Sequence, residues 1–347
     1  MPMKELKFAV FGAGFWSNYQ IAGWKELDGL KLMAICDPDL QKCRTMAEKF
    51  DIPGVYSDAE ELLANESLDF VDIISAVDSH LPLAKMAAAR GLHVVCQKPM
   101  APSLNGCAEM VKACKENGVM LLVNENFRWQ LPIRRVKELL DSGIIGQPFK
   151  ARVSFCSAFP VFDNQPALRQ LDRFILTDIG SHTLDICRFL FGEAHNLRCL
   201  TRRVNQSIKG EDVATVLMEM TDGVHCYAEM SYASILEQEV FPETLLLIEA
   251  EKGSIELAPD MTIKITDAGG TRVEKVEPQL YPWVNPEYAL VHCSIVGTQA
   301  NLLDGLRGGA AETTGDDNYQ TSRLIWACYH SAEHKKLVVM DEFEGHD

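Results

Sequence analysis

Basic residues are scarce in this 347-residue chain: 33 lysines and arginines are outnumbered by 49 aspartates and glutamates, for a formal net charge of -16 at pH 7. A nucleic-acid binder needs cationic side chains to neutralise phosphates, and docking to an anionic membrane surface needs them as well. The charge balance therefore predicts neither kind of partner. Long apolar runs are also missing, because none approaches the ~18 residues that a membrane-spanning helix requires.

Metal-ligand and disulfide patterns are absent too. The 11 cysteines are an odd number, none forms a Cys-x-x-Cys pair, and no cysteines or histidines share the spacing of zinc ligands. This distribution favours reduced, buried thiols over a disulfide framework, and it predicts no structural metal. The chain also begins without a basic leader followed by an apolar core, so we expect no signal peptide and a cytoplasmic protein.

Two kinds of hydrophobic pattern divide the chain into two parts. The first ~125 residues alternate apolar runs with amphipathic stretches, at the spacing of repeated βα units. Later come consecutive short strands joined by turns such as Thr221-Asp222-Gly223, after a loop at 157–176 that has no clear periodicity. We therefore predict an α/β protein. Residues 1–124 would form a doubly wound parallel sheet of the Rossmann type, and residues 125–347 an α/β domain with a mostly antiparallel open sheet.

A glycine-rich turn, Gly12 to Ser17, follows the first predicted strand and opens a helix. The first glycine permits the tight turn, the second lets a pyrophosphate approach the backbone, and the helix N-terminus offers free N–H groups. The second strand ends in Asp37, whose carboxylate can bind ribose hydroxyls and would repel a 2′-phosphate. The pattern predicts an NAD site and disfavours NADP. A tight turn with an unrelated surface aspartate is the alternative.

Two further segments carry ionisable side chains. Lys98 lies in the turn that follows a predicted strand ending at Cys96, and Pro99 holds it at the edge of the sheet that faces ligands. A surface lysine in a turn would look the same. Asp178, His182 and Asp185 are spaced by four and three residues. On one helix they would fall within a ~60° arc, which is costly to bury unless the groups pair or do chemistry. The alternative is a structural role for this segment, as a helix N-cap and a polar helix face whose groups are paired within the protein.

In this order, the motifs resemble those of the Gfo/Idh/MocA family of nucleotide-dependent sugar and polyol oxidoreductases. The resemblance spans essentially the whole chain and rests on Gly12-Ala13-Gly14, Asp37, the turn from Ser75 to His80, Gln97-Lys98-Pro99, Asn126-Phe127-Arg128 and Asp178 through Asp185. It implies that Lys98 contacts substrate and nicotinamide, and that the open sheet of the second domain assembles a homodimer or homotetramer. Gln97 departs from the family's usual Glu, and Ser75-Ala76 from its usual Thr-Pro.

The resemblance suggests roles for individual residues. His182 is the favoured proton acceptor, with Lys98 as the other candidate, and Lys98 would stabilise the developing alkoxide. Arg128 and Trp129 would edge the substrate pocket, with interdomain packing as an equally open role. The predicted site comprises Lys98, His182 and Asp178 as catalytic residues; Gly12, Gly14, Phe15, Trp16, Asp37, Ser75, His80, Gln97 and Lys98 around the cofactor; and Lys98, Arg128, Trp129, Asp178, His182 and Asp185 around the substrate.

The expected activity is NAD-dependent oxidation of a monosaccharide hydroxyl, first an aldose such as a pentose or branched pentose, to the lactone. An inositol or polyol dehydrogenase is the alternative within the same chemistry. A second alternative retains NAD and uses transient oxidation to eliminate or hydrolyse a bond. A third alternative is a dinucleotide-dependent sensor without enzymatic activity. The presence of Lys98 and His182 argues against it.

Overall fold

Six parallel strands form the first sheet of the computed structural model, which describes residues 5–345. The strands are β1 (Leu6–Phe11), β2 (Leu30–Cys36), β3 (Gly54–Tyr56), β4 (Phe70–Ile73), β5 (His93–Gln97) and β6 (Leu121–Asn124). The helices between them are α1 (Phe15–Lys25), α2 (Leu40–Phe50), α3 (Ala59–Asn65), α4 (His80–Ala88) and α5 (Leu104–Glu116). The order is β3-β2-β1-β4-β5-β6. Ligands bind such sheets where the order reverses, here between β1 and β4, outside the carboxyl ends of the strands.

Nine strands form the second sheet. They are β7 (Pro148–Cys156), β8 (Ala194–Arg202), β9 (Val213–Met220), β10 (His225–Ser231), β11 (Leu245–Ala250), β12 (Gly253–Ala258), β13 (Thr262–Asp267), β14 (Gly270–Lys275) and β15 (Val338–Val339). The order is β14-β13-β12-β11-β7-β10-β9-β8-β15. Neighbouring strands are antiparallel except β7 and β10, which run parallel. The predicted fold class is confirmed.

Helices cover one face of the second sheet. The helices after the first sheet are α6 (Leu131–Asp141), α7 (Val161–Asn164), α8 (Ile175–Asp178), α9 (Gly180–Phe191), α10 (Ala289–Leu306) and α11 (Gly315–His334). Of these, α6, α8, α9 and α11 pack on the strands of the second sheet. Every residue of α9 except Phe189 is buried. The opposite face of the sheet is open: in β9, Val216 and Met218 are buried, whereas Leu217 between them is 55% exposed. This alternation is typical of a sheet with one covered face.

The sequence pattern does not predict α10, and it predicts a plain loop where α7 and α8 lie. All residues from Leu290 to Val296 are buried, so α10 lacks the polar face by which an amphipathic helix is recognised. α10 packs on α1, where the Gln299 amide nitrogen donates to the Gln20 carbonyl at 2.9 Å. The later part of the chain thereby contributes to the core beside the first sheet. Neither α10 nor any other helix within residues 5–345 is suited to cross a membrane.

A buried carboxyl group lies inside the first sheet. Asp72, on β4, has no exposed surface, and it accepts hydrogen bonds from Trp24 Nε1 at 2.7 Å and from Asn124 Nδ2 at 3.2 Å. Burial raises the pKa of Asp72 to about 7, although the two hydrogen bonds oppose the shift. In the folded protein this group therefore exchanges its proton near neutral pH.

We expect Asp72→Asn to become more stabilising, relative to the wild type, as the pH rises. Unfolded aspartate ionises near pH ~3.9, so between that pH and about 7 the folded wild type holds the extra proton and loses stability with increasing pH. The variant lacks this titration. Its stability relative to the wild type should rise by up to ~1.4 kcal/mol per pH unit in urea unfolding across that window. A difference independent of pH would contradict the raised pKa.

Candidate active site

Two adjoining cavities lie at the carboxyl edge of the first sheet. The site cavity, of about 320 Å³, lies between the end of β5 and the start of α9. The turn cavity, of about 660 Å³, lies beside the turn after β1. The predicted residues that line the site cavity are Trp16, Ser75, His80, Gln97, Lys98, Asp178 and His182. Those that line the turn cavity are Gly12, Gly14, Asp37 and Ser75. The fold thus brings most of the predicted cofactor and catalytic residues to one place.

The turn after β1 leaves room for a phosphate. Gly12 has a φ of +108°, and a Cβ there would lie 2.8 Å from backbone atoms of Ile74, so a side chain is excluded. A Cβ at Gly14, by contrast, would meet no described atom within 4 Å. α1 starts at Phe15, and the N–H groups of its first turn have no partner within the helix. The open space at Gly14 therefore fits a dinucleotide pyrophosphate at a helix N-terminus.

A fixed carboxylate borders the turn cavity, and an unpaired amide nitrogen lies beside the site cavity. Asp37 Oδ2 accepts a hydrogen bond from the Ala13 N–H at 2.9 Å, and Oδ1 accepts one from the Asp39 N–H at 2.9 Å. The carboxylate is held where ribose hydroxyls bind in dinucleotide sites. The Gln97 amide nitrogen is buried beside the site cavity without a hydrogen-bond partner among residues 5–345, so it remains available to a ligand.

Phe15 offers a cofactor its backbone N–H, in the first turn of α1, rather than its side chain. Its side chain is 37% exposed and lines neither cavity. The ring packs edge-on against Trp16 and Tyr19, each with a centroid separation of 5.3 Å. Trp16 itself lines the site cavity, and its indole N–H donates to Gln165 Oε1 at 3.4 Å. Of the two adjacent aromatic side chains, only that of Trp16 lines a cavity.

His80 joins two turns that border the site cavity. Its ring nitrogens lie 3.1 Å from the carbonyl oxygens of Ser75 and Pro99. Burial lowers the pKa of His80, although the hydrogen bonds to backbone carbonyls oppose the shift. His80 therefore connects the turn after β4 to the segment that carries Lys98.

Lys98 crosses from the first sheet to the junction of α8 and α9. Its Nζ donates to the Asp178 carbonyl oxygen at 3.0 Å and to the Asp178 carboxylate at 3.3 Å. Ser181 Oγ donates to the same carbonyl oxygen at 2.7 Å. The expectation that one helix runs from Asp178 to Asp185 is therefore wrong at its start. Asp178 ends α8 and α9 begins at Gly180, because side chains occupy the carbonyl that would otherwise continue the helix.

His182 lies in the first turn of α9 and is paired with a carboxylate that the motif analysis missed. Its Nδ1 is 2.5 Å from Glu125 Oε1, and its ring stacks on Phe127 at 3.7 Å. Burial and the charge of Lys98 lower the pKa of His182, and burial raises the pKa of Glu125. The sequence signal was available: Glu125 directly follows β6, where side chains reach the ligand edge of a parallel sheet.

Arg128 and Asp185 do not line the cavity and pair with each other, an arrangement that fits the packing role left open for Arg128. Arg128 Nε and Nη2 donate to the Asp185 carboxylate at 2.7 and 2.5 Å, and both residues are at most 4% exposed. Arg128 Nη2 also donates to Asp317 at 2.9 Å, on α11. Both charged groups are thus used within the protein, where they tie α9 to α11. Trp129 is likewise absent from the cavity wall and stacks against Arg134, with the guanidinium 4.3 Å from the ring centroid.

Five further aromatic residues line the site cavity: Phe127, Phe155, Tyr232, Phe241 and Tyr288. Burial and the neighbouring Asp178 carboxylate raise the pKa of Tyr232, which keeps its hydroxyl a neutral donor. From the loop at 157–176, Gln165 lines the cavity, whereas Asp163 and Asn164 do not. Within residues 5–345, no three histidine, cysteine or acidic side chains are grouped to hold a metal ion.

The arrangement therefore combines a dinucleotide turn, an ammonium donor and a histidine–carboxylate pair around a small cavity. Comparison with known proteins identifies this combination. A family model described as "Oxidoreductase family, NAD-binding Rossmann fold" (GFO_IDH_MocA) matches residues 6–125, and the model of the C-terminal domain of that family matches residues 133–256. The chain belongs to the GFO/IDH/MocA oxidoreductase family.

Relatives within the GFO/IDH/MocA family include sugar dehydrogenases. A D-apiose dehydrogenase of Rhizobium rhizogenes is 42% identical over 97% of this chain and 98% of its own length. Another, from Paraburkholderia graminis, is 41% identical over 99% of this chain and 92% of its own. A crystal structure of an oxidoreductase from Agrobacterium radiobacter in complex with NAD+, L-tartaric acid and magnesium is 41% identical, with a TM-score of 0.95 over 97% of this chain and 99% of that chain. The predictions of the family, of NAD and of an oxidoreductase acting on a sugar CH–OH group are confirmed.

The ion pair between Arg128 and Asp185 generates a stability prediction. Arg128→Met should destabilise the fold by ~3–5 kcal/mol, because it leaves the buried Asp185 carboxylate without its cation. Adding Asp185→Asn removes that stranded charge and should restore part of the loss. Urea unfolding monitored by tryptophan fluorescence measures both variants. A single variant as stable as the wild type, or a double variant less stable than the single, would contradict this structural role.

Proposed function

We propose that this chain oxidises D-apiose, a branched pentose, at C1 to the lactone. The observation that carries the proposal is the identity of 42% and 41% with two D-apiose dehydrogenases, with nearly complete coverage of both chains. The site is consistent with it, since a cavity of about 320 Å³ that also borders the cofactor edge leaves space for a small sugar rather than a long glycan.

Within this proposal, NAD is held by the turn after β1 and by the edges of β2, β4 and β5. Gly12 and Gly14 give the pyrophosphate access to the helix N-terminus, and Asp37 binds the ribose hydroxyls. Ser75 and Gln97 lie nearer the reacting end, where the free Gln97 amide nitrogen has no other partner among the described residues. When bound, NAD supplies the acceptor for the hydride that leaves the sugar carbon.

The side chains of the site have separate roles in charge stabilisation, proton acceptance and substrate binding. Lys98 already donates hydrogen bonds to Asp178, so it acts as a donor that stabilises negative charge developing on the sugar oxygen. His182 uses Nδ1 for Glu125, which leaves Nε2 to take the hydroxyl proton. The Asp178 carboxylate holds Lys98 and can accept a hydrogen bond from a second sugar hydroxyl. Residues 125–347, which provide His182, Asp178 and the aromatic wall, form the substrate-binding domain in this assignment, with residues 1–124 as the NAD domain.

A myo-inositol dehydrogenase activity is the second candidate. The myo-inositol 2-dehydrogenase of Thermotoga maritima is 28% identical over 98% of this chain and the whole of its own. Its lower identity makes a cyclitol the weaker choice.

NADH formation with a panel of D-apiose, other pentoses, hexoses and myo-inositol tests the proposed substrate. We expect the highest kcat/KM with D-apiose. Lys98→Met is the control for the site: it should lower kcat by ~100-fold or more, because an ammonium donor to the oxyanion is lost, while NAD affinity stays close to that of the wild type. The highest kcat/KM with myo-inositol would replace D-apiose by the second candidate, and no activity on any sugar would refute both.

We infer that the open face of the second sheet assembles a homo-oligomer. A row that mixes apolar and charged side chains crosses this face in register: Arg198, Leu217, Tyr227, Arg152, Leu247, Glu256 and Lys264. Such a mixed, partly exposed face fits a second copy of the chain. Leu217→Glu should reduce the mass seen by light scattering. Leu280→Glu, at a 67% exposed position outside the sheet, is the control and should not. A wild type that is monomeric at all concentrations would refute the assembly.

We further infer a cytoplasmic location. All 11 cysteines are free thiols, and ten of them are buried, which suits a reducing compartment. Fractionation of native cells, with the chain recovered outside the cytoplasm, would contradict it.

A further inference from the structure

Glu125 occupies a position that calls for a role in the reaction. The residue directly follows β6 and has no exposed surface. Its Oε1 accepts a hydrogen bond from the Phe127 N–H at 3.2 Å and faces His182 Nδ1 at 2.5 Å. Its Oε2 is buried without a hydrogen-bond partner among residues 5–345. A carboxylate so poorly compensated is costly, and a neutral side chain would fill the same space at lower cost.

We propose that Glu125 is a positioning residue that makes His182 a proton acceptor, by fixing its tautomer and by letting the buried pair lose a net charge when the substrate proton arrives. The proposal deepens the proposed function of the same site and rests on its hydride-transfer chemistry. It does not depend on which sugar is oxidised.

In this proposal an ionised Glu125 sets the tautomer of His182. A hydrogen bond between Nδ1 and an ionised carboxylate requires the proton on Nδ1, so Nε2 carries the lone pair. The Phe127 ring, stacked on the imidazole with an interplanar angle of 6°, restricts rotation of that ring. The Phe127 N–H holds the accepting oxygen of Glu125. Glu125 and Phe127 together therefore keep Nε2 ready for the sugar hydroxyl.

The charge of the pair explains how a deeply buried histidine can accept a proton. An isolated imidazole would go from neutral to cationic, which burial opposes. The pair instead starts with one negative charge on Glu125. After Nε2 takes a proton, the pair is neutral overall, whether the proton between the two side chains lies on Oε1 or on Nδ1. Burial then favours proton uptake, and the two groups titrate as one unit.

Other charged groups face the pair and influence the charge states of Glu125 and His182. Lys98, from the end of β5, favours the charged form of Glu125 and disfavours a cationic His182. Arg128 acts on Glu125 in the same direction as Lys98. Asp178 at the end of α8 and Asp185 on α9 favour a cationic His182, and Asp185 disfavours the charged form of Glu125. None of these groups hydrogen-bonds to the His182 ring, so direct control of its tautomer remains with Glu125.

The first test is the pH profile of kcat/KM for sugar oxidation. Glu125→Gln keeps a hydrogen-bond acceptor for Nδ1 but removes the charge. We expect the plateau to fall ~10- to 100-fold and the acid limb to move to lower pH by about one unit or more, because His182 alone is the weaker base. Glu125→Asp restores the charge and should recover part of both effects. NAD affinity and the melting temperature of Glu125→Gln report whether the fold is intact.

An acid limb that stays in place in Glu125→Gln, or moves to higher pH, would overturn the proposal even if the rate falls. A double-mutant cycle sharpens the comparison. In a His182→Asn background, Glu125→Gln should cause no further loss of kcat/KM, because its effect acts through His182. Additive losses would also overturn the proposal.

The second test does not require turnover. Nitrogen-15 NMR of histidine-labelled enzyme with NAD bound reports the protonation of each ring nitrogen, and the His182 signals are assigned by their loss in His182→Asn. We expect Nδ1 protonated and Nε2 unprotonated near pH 8. The opposite tautomer would refute the role of Glu125. If this signature is present but no sugar in the panel is oxidised, the proposed function fails and the pairing stands. If D-apiose is oxidised with the opposite tautomer, the reverse holds.

Discussion

The bond between Lys98 and the junction of α8 and α9 is the interaction on which the site depends. Lys98 Nζ and Ser181 Oγ both donate to the Asp178 carbonyl oxygen, so the helix stops there and restarts at Gly180. This restart places His182 in the first turn of α9. Because Lys98 directly follows β5 of the first sheet, the same bond fixes the distance between the cofactor edge and the proton acceptor.

Buried polar contacts hold α9 from its other side. Arg128 binds Asp185 with two hydrogen bonds and reaches Asp317 on α11, while Arg188 donates to the Asp317 carbonyl at 2.9 Å. Such pairs add little stability compared with apolar packing, but the loss of one partner is strongly destabilising. They therefore constrain the position of α9, and through it the geometry of His182, without contacting the substrate.

The features that could be predicted from the sequence are those whose residues lie close together along the chain. The parallel sheet and the cofactor turn are local patterns, and the spacing of Asp178 and His182 is one too, so all were predictable. The Arg128–Asp185 pair joins residues 57 positions apart, and nothing local shows that their charges are mutually satisfied. Glu125 belongs to no spacing motif, and its role depends on a contact equally distant in the chain. α10 was not predicted, because a helix that is buried on all sides lacks the alternation of apolar and polar residues by which helices are recognised.

The central claim is that hydride leaves C1 of the sugar for NAD while the His182–Glu125 pair takes the hydroxyl proton. Single-turnover oxidation of D-apiose deuterated at C1, followed by NMR of the reduced nucleotide, tests this claim most directly. We expect deuterium at C4 of the nicotinamide and a primary isotope effect on the rate of NADH formation. Reduced nucleotide without deuterium, or no reduced nucleotide at all, would contradict it.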